Sequence, residues 1–278
     1  MKYLVLGSAG QIGAHLTGFL RNRRDTVIEY DLVNSQEQDL RRPSPALLEK
    51  TADADFVMFL AFDVGGSRYL KTYQNTYEFV SNNVKIMDNV FDALKESGKP
   101  FIFASSQMSN MNYSSYGVLK ALGEYYTRSL NGLIIKFWNV YGVEHDPAKS
   151  HAITDFLRKA QSQGKIEMMT DGTEMRQLLY ADDACEALRF LAQPQTYASM
   201  SRDVNLHITS FEWVRIIDTA RLIGELMSVP VIPGQASDTV QKDLRNEPDR
   251  FLLQFWRPAT PLRDGISEVI RAMTTSGS

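Results

Sequence analysis

Tyr116 and Lys120 lie four residues apart in a stretch of helical pattern, Ser115 to Leu130, so their side chains share a face and can meet one small molecule. A free phenol, with a pKa of about 10, is a poor base at neutral pH. A neighbouring ammonium favours the phenolate, which would make Tyr116 a general acid and base for a substrate hydroxyl. A YxxxK spacing alone is common on exposed helices. Here it accompanies Ser105 and Ser106 at the end of an apolar run, Phe101 to Ala104.

A second group of residues suits an anion. Tyr3 to Leu6 leads into Gly7, Ser8, Ala9, Gly10, Gln11, Ile12 and Gly13, and then into a helical pattern. Strand, glycine turn and helix in this order let main-chain N–H groups approach a pyrophosphate, with the helix amino terminus adding a favourable field. Asp31 ends the next strand, eighteen residues after Gly13, where a carboxylate accepts hydrogen bonds from both hydroxyls of an adenine ribose. That acid favours NAD and would repel the extra phosphate of NADP. Arg21, Arg23 and Arg24 close by keep NADP as the alternative.

The elements that must hold these residues follow from hydrophobic periodicity. Short apolar runs at Lys2 to Leu6, Thr26 to Tyr30, Phe56 to Leu60, Phe101 to Ala104 and Leu133 to Phe137 alternate with amphipathic stretches. Helices are expected at Gln11 to Arg21, Tyr77 to Ser97 and Ser115 to Leu130. This is the pattern of an α/β fold, a Rossmann doubly wound parallel sheet with helices on both faces. After Trp138 the rhythm changes, and Gly142 to Thr173 reads as a loop plus one helix, Ile153 to Gln163, stopped by Gly164. We expect a cofactor-binding domain over 1–141, rejoined by 177–206, and a smaller, mostly carboxy-terminal substrate lobe from 142–176 and 207–278.

Composition narrows the partners. With 30 basic and 33 acidic residues the chain has no broad field for nucleic acid or an anionic membrane, and a small molecule is the natural partner. The single cysteine, Cys185, excludes an intrachain disulfide and reads as packing. Without a signal peptide or an apolar run long enough to span a bilayer, the expected location is cytoplasmic.

These features together resemble the extended short-chain dehydrogenase/reductase family, especially its nucleotide-sugar epimerases, dehydratases and epimerase/reductases. The resemblance covers almost the whole chain: GSAGQIG at 7–13, the strand end at Asp31, LAFDVGG at 60–66, FASS at 103–106, YGVLK at 116–120, NVYG at 139–142, RQLLYADDA at 176–184 and the closing LLQFWRPATPLRDGISEVI. It implies that Leu60, Ala61, Phe62 and Asp39 border the cofactor with the glycine turn, and that Lys120 holds the cofactor's ribose. Ser105 takes the catalytic serine's place, with Ser106 one register away as the alternative. Asn139 and Arg176 match contacts to a nucleoside diphosphate, as Lys242 and Arg245 do more loosely. Asp182 and Asp183 match a turn that starts a helix, where aspartates cap free N–H groups.

The stretch around His151 is similar to one that places a histidine over the sugar ring, where it serves as an acid/base or as a hydrogen-bonding group. In those enzymes a cysteine two residues after the serine is the histidine's partner. From Ser105 that position is Gln107, a substrate-contacting residue that cannot exchange a proton. The acids that dehydratases carry after the serine are likewise absent, Ser106 and Gln107 standing there. The resemblance therefore implies an NAD-dependent nucleotide-sugar epimerase that oxidises a hydroxyl to a ketone and reduces it again. The alternatives are a reductase or epimerase/reductase of a 4-keto nucleotide sugar, and a non-catalytic NAD(H)-sensing protein. The two long helices match those that pair across a two-fold axis, implying a homodimer through a four-helix bundle.

Overall fold

The apolar runs form five parallel strands in the computed structural model, which describes residues 1–144, 146–240 and 246–275. They are β1 (Lys2–Leu6), β2 (Thr26–Tyr30), β3 (Phe56–Phe59), β4 (Phe101–Ser106) and β5 (Leu133–Phe137). Leu206–Ile208 pairs with β5, and the order across the sheet is Leu206–Ile208, β5, β4, β3, β1, β2. The chain steps from β1 outward to β2 and returns to the other side of β1 for β3. That reversal opens a crevice beyond the carboxyl ends of β1 and β3, where such sheets bind ligands.

Alternate residues of each strand feed two separate cores. Tyr3, Val5, Met58, Ile102 and Ile135 pack against α1 (Gln11–Asn22) through Leu16 and Leu20. On the opposite face Leu4, Leu6, Val57, Phe59 and Phe103 pack against α4 (Tyr77–Ser97) through Met87, Val90 and Phe91. Burial on both faces explains why the strands read as continuous apolar runs. The Thr76 hydroxyl caps α4 by accepting from the Phe79 N–H, and Gly98 ends it at φ +62°, so this helix has its expected limits. α5 (Ser115–Ser129) is capped by Ser114 in the same way. Two short helices, α2 (Pro45–Asp53) and α3 (Ser67–Tyr73), lack a long apolar period and were not expected.

A third apolar cluster lies apart from the sheet. Ile153, Phe156 and Leu157 of α6 (Ala152–Gln163) meet Ile217, Ala220 and Ile223 of the helix Ile216–Met227 and Ile266 and Val269 of the helix Leu262–Thr275. We propose this cluster as the core of the substrate lobe. α7 (Ala181–Leu191) returns to the sheet and buries Cys185 among apolar side chains, and burial pushes its thiol pKa up. Asp183 does not cap α7 as expected. Its carboxylate instead accepts from the N–H and hydroxyl of Thr260, at 2.9 and 3.0 Å, and pins the closing segment to the start of α7. Among the described residues no helix is long and apolar enough to cross a membrane.

Candidate active site

The glycine turn is built on close approaches that side chains would block. Gly7 has φ +87°, and a Cβ there would stand 2.7 Å from the Ala61 nitrogen. At Gly13 a Cβ would stand 2.0 Å from the Gly7 carbonyl oxygen. These absences let the end of β1, the start of α1 and the segment Leu60–Phe62 converge. Gly10 is the N-cap of α1 and offers no side chain to the first N–H groups, and no acid occupies the first turn. The cradle and the uncapped helix end fit a dinucleotide pyrophosphate. Beside it Asp31 accepts from the Ala9 and Val33 N–H groups, at 3.0 and 2.9 Å. Asp39 is buried and bound bidentately by Arg41, at 2.7 and 2.9 Å, which holds its carboxyl below the usual carboxylate range.

One cavity of about 510 Å³ runs from this cradle to Tyr116 and Lys120. Gly7, Gly10, Gln11, Ile12, Gly13, Asp31, Asp39, Leu60, Ala61 and Phe62 border one end, and Ser106, Tyr116, Lys120, Asn139 and His151 the other. Gly117 sets how closely α5 approaches the segment that carries Met108 and Met111. A Cβ there would lie 2.3 Å from the Met108 carbonyl oxygen, so glycine alone lets α5 settle onto the turn that follows β4.

Of the two serines it is Ser106 whose side chain acts on the Tyr116 phenol, opposing the rise of its pKa, while its own Oγ accepts from the Met108 N–H at 3.1 Å. Ser105 also borders the cavity, but its hydroxyl is turned to Glu124, donating to Oε1 at 2.5 Å. The buried Glu124 also pairs with Lys136 and Arg128, at 3.3 and 3.4 Å. The correction follows from β4, which runs two residues beyond the expected Ala104. Both serines are thereby in the strand, where neighbours point to opposite faces.

The expected lowering of the Tyr116 pKa is absent. Burial pushes it up to about 12, only partly opposed by the Ser106 hydrogen bond, and burial pushes Lys120 down to about 7, opposed by the charge of Glu124. Lys120 Nζ donates to the Ala104 carbonyl at 2.6 Å and lies 3.8 Å over the Phe62 ring, yet 5.8 Å from the centre of the Tyr116 ring. Desolvation of both groups outweighs their mutual attraction at that separation.

Several expected substrate contacts are placed elsewhere. Gln107 is buried outside the cavity lining, its side-chain oxygen accepting from Asn246 at 3.0 Å. Counted from Ser106, the residue two further on is Met108, which is buried, borders the cavity and carries no exchangeable proton. Arg176 is not among the cavity-lining residues and is paired with Asp238. Lys242 and Arg245 lie outside the described residues. His151 does border the cavity, with its ring on Glu144.

Three further cavity-lining residues were missed. Asp63 accepts from Tyr69, Asn82 and Lys149, at 2.6, 3.0 and 3.2 Å. Trp138 donates its indole N–H to Nδ1 of His207, whose pKa burial pushes down to about 4 and which is therefore a neutral acceptor. Glu144 is the third. Its signal was its place between the NVYG run and His151.

The sequence profile of the NAD dependent epimerase/dehydratase family matches residues 3–206. The chain belongs to that family. It is 22% identical to the dTDP-4-dehydro-6-deoxy-D-allose reductase of Streptomyces bikiniensis, over 96% of this chain and 94% of that protein. In fold it is similar to an epimerase from Methanothermobacter thermautotrophicus, with a TM-score of 0.83, 20% identity and 99% and 93% of the two chains covered. It is also similar to the UDP-glucuronic acid 4-epimerase of Bacillus cereus in complex with UDP-glucuronic acid and NAD, with a TM-score of 0.75, 21% identity and 99% and 100% covered. As a member of this NAD-binding family the chain is an extended short-chain dehydrogenase/reductase of the nucleotide-sugar type, and its six-stranded parallel sheet is the Rossmann-like fold of that group.

Proposed function

We propose that this member of the family is an NAD-dependent nucleotide-sugar epimerase, acting by transient oxidation of a sugar hydroxyl to a ketone and re-reduction. The observation that carries the reading is one cavity running from the glycine cradle to Ser106, Tyr116 and Lys120, with no acid following the serine. NAD, held by the glycine cradle, Asp31 and Lys120, would supply the hydride acceptor and donor for the redox chemistry. Tyr116 removes the hydroxyl proton and later gives it back, while Ser106 orients the same oxygen. Lys120 and Asp31 hold the two riboses, and Asp31 supports NAD over NADP because a second phosphate would stand against its carboxylate. His151 stands over the sugar and accepts a proton or a hydrogen bond there. Incubating the enzyme with UDP, GDP, CDP and dTDP sugars and resolving the products is the test. An epimer formed without net NADH supports the reading, and no inversion of any sugar defeats it.

The second reading is a reductase or epimerase/reductase of a 4-keto nucleotide sugar, favoured by the ring contact between His151 and Glu144. Stoichiometric consumption of NADH or NADPH would select it. A homodimer through α4 and α5 accounts for the apolar side chains they expose: Tyr77, Val80 and Val84 on one, Val118, Leu122 and Tyr125 on the other. Light scattering at micromolar concentration should find two copies.

A further inference from the structure

Glu144 holds His151 by two groups at once. Its Oε2 accepts from the His151 main-chain N–H at 2.9 Å, and its Oε1 lies 2.6 Å from ring Nδ1. The carboxylate is buried while the His151 side chain is 38% exposed and borders the cavity. Burial alone would raise the carboxyl pKa, but the hydrogen bonds from the His151 ring and main chain, joined by Thr154, hold it below the usual range. An ionised carboxylate only accepts, so Nδ1 carries the ring proton. In the neutral ring Nε2 is then the bare nitrogen, and among the described residues it has no partner.

The backbone around Glu144 is fixed from two further directions. The Val143 N–H donates to His15 Nε2 at 3.0 Å, tying it to α1, the helix at the cofactor cradle. Arg158 donates to the Glu144 carbonyl at 2.7 Å. Gly142 permits the first contact, because a Cβ there would meet the His15 ring at 2.5 Å.

We propose that Glu144 is a positioning residue, locking the ring and main chain of His151 together so that Nε2 faces the sugar as a proton acceptor. The inference rests on the reading of His151 as the group over the sugar. A simple cap for the amino terminus of α6 needs only the main-chain bond. The ring bond is what a cap does not require, and it sets the tautomer as an orienting carboxylate does beside a catalytic histidine.

The test uses the full chain with NAD, labelled with ¹⁵N-histidine, and the variants Glu144→Gln, Glu144→Asp and His151→Gln, the last assigning the signals. In the wild type His151 should be protonated at Nδ1 and bare at Nε2. Glu144→Gln should shift protonation toward Nε2 while keeping the thermal midpoint close to the wild type, and Glu144→Asp should restore the wild-type pattern. A second arm follows deuterium uptake at carbon from deuterium oxide into UDP-, GDP- and dTDP-4-keto-6-deoxyhexoses, together with turnover of any sugar the wild type converts. Glu144→Gln should lower the kcat of whichever reaction is seen by at least about tenfold, with KM little changed. A wild-type ring protonated at Nε2, or a Glu144→Gln enzyme with unchanged tautomer and kcat, overturns the inference. If the tautomer responds as stated but His151→Gln turns over like the wild type, the placing of His151 over the sugar fails instead, and the hold of Glu144 on the ring stands.

Discussion

At the cofactor end of the cavity the decisive features are main-chain N–H groups and the missing Cβ atoms of Gly7, Gly10 and Gly13. The other end, where we place the sugar, is lined by polar side chains that meet across loops, Asp63 with Lys149 from a distant part of the chain and Glu144 with His151 seven residues on. The first kind of site is centred on one strand, turn and helix, pressed against the segment Leu60–Phe62, and tolerates almost no added atom. The second can be rewritten one side chain at a time without disturbing the sheet, which is how one fold comes to serve many sugars.

That contrast can be broken by substitution, beginning with the largest effect. Tyr116→Phe should lower sugar turnover on the order of 10²- to 10⁴-fold while calorimetry finds NAD bound as in the wild type. Its pH counterpart is a matter of sign. Oxidation needs the phenolate of a group whose pKa stands at about 12, so the oxidative rate should climb with pH through the neutral range without levelling, while the reductive direction, which needs the phenol, stays flat. A plateau in the oxidative direction near pH 7 would mean that ligand binding draws the phenol's pKa down.

Gly13→Ala should do the reverse of Tyr116→Phe, removing NAD binding and costing about 1–3 kcal/mol in denaturant unfolding, because two pieces of backbone must separate. The two serines sharpen the comparison within a single strand. Ser106→Ala should cost turnover, about tenfold for one lost hydrogen bond to the reacting oxygen. Ser105→Ala should instead cost stability, about 1–3 kcal/mol, by stripping a donor from the buried Glu124. The smallest effect is expected of Lys149→Ala. Its partly exposed pairing with Asp63 should be worth about 0–1 kcal/mol in thermal unfolding, and a larger loss would show that the pair clamps the cavity mouth.

Legibility in the sequence followed the range of the forces involved. The limits of α4 were readable because Thr76 and Gly98 act on their own helix, and the glycine turn because its constraints are local. α2 and α3 escaped because helices of nine and seven residues carry too little period to stand out. At the active site the residue types were visible but their partners were not. Asp183 looked like a cap and is a tie to Thr260, and the pairing of Arg176 with Asp238, 62 residues further on, left no mark in the sequence.

Residue type and spacing along the chain were enough to establish the doubly wound sheet, the dinucleotide cradle and the Tyr116 and Lys120 pair, since each depends on neighbours within a turn or a strand. Tertiary packing alone chose Ser106 over Ser105, raised the phenol's pKa instead of lowering it, and brought Glu144 to His151. Adjacent residues of a strand face opposite ways, burial acts through the whole surrounding fold, and a hydrogen bond across a loop exists only once both of its ends have been fixed by something else.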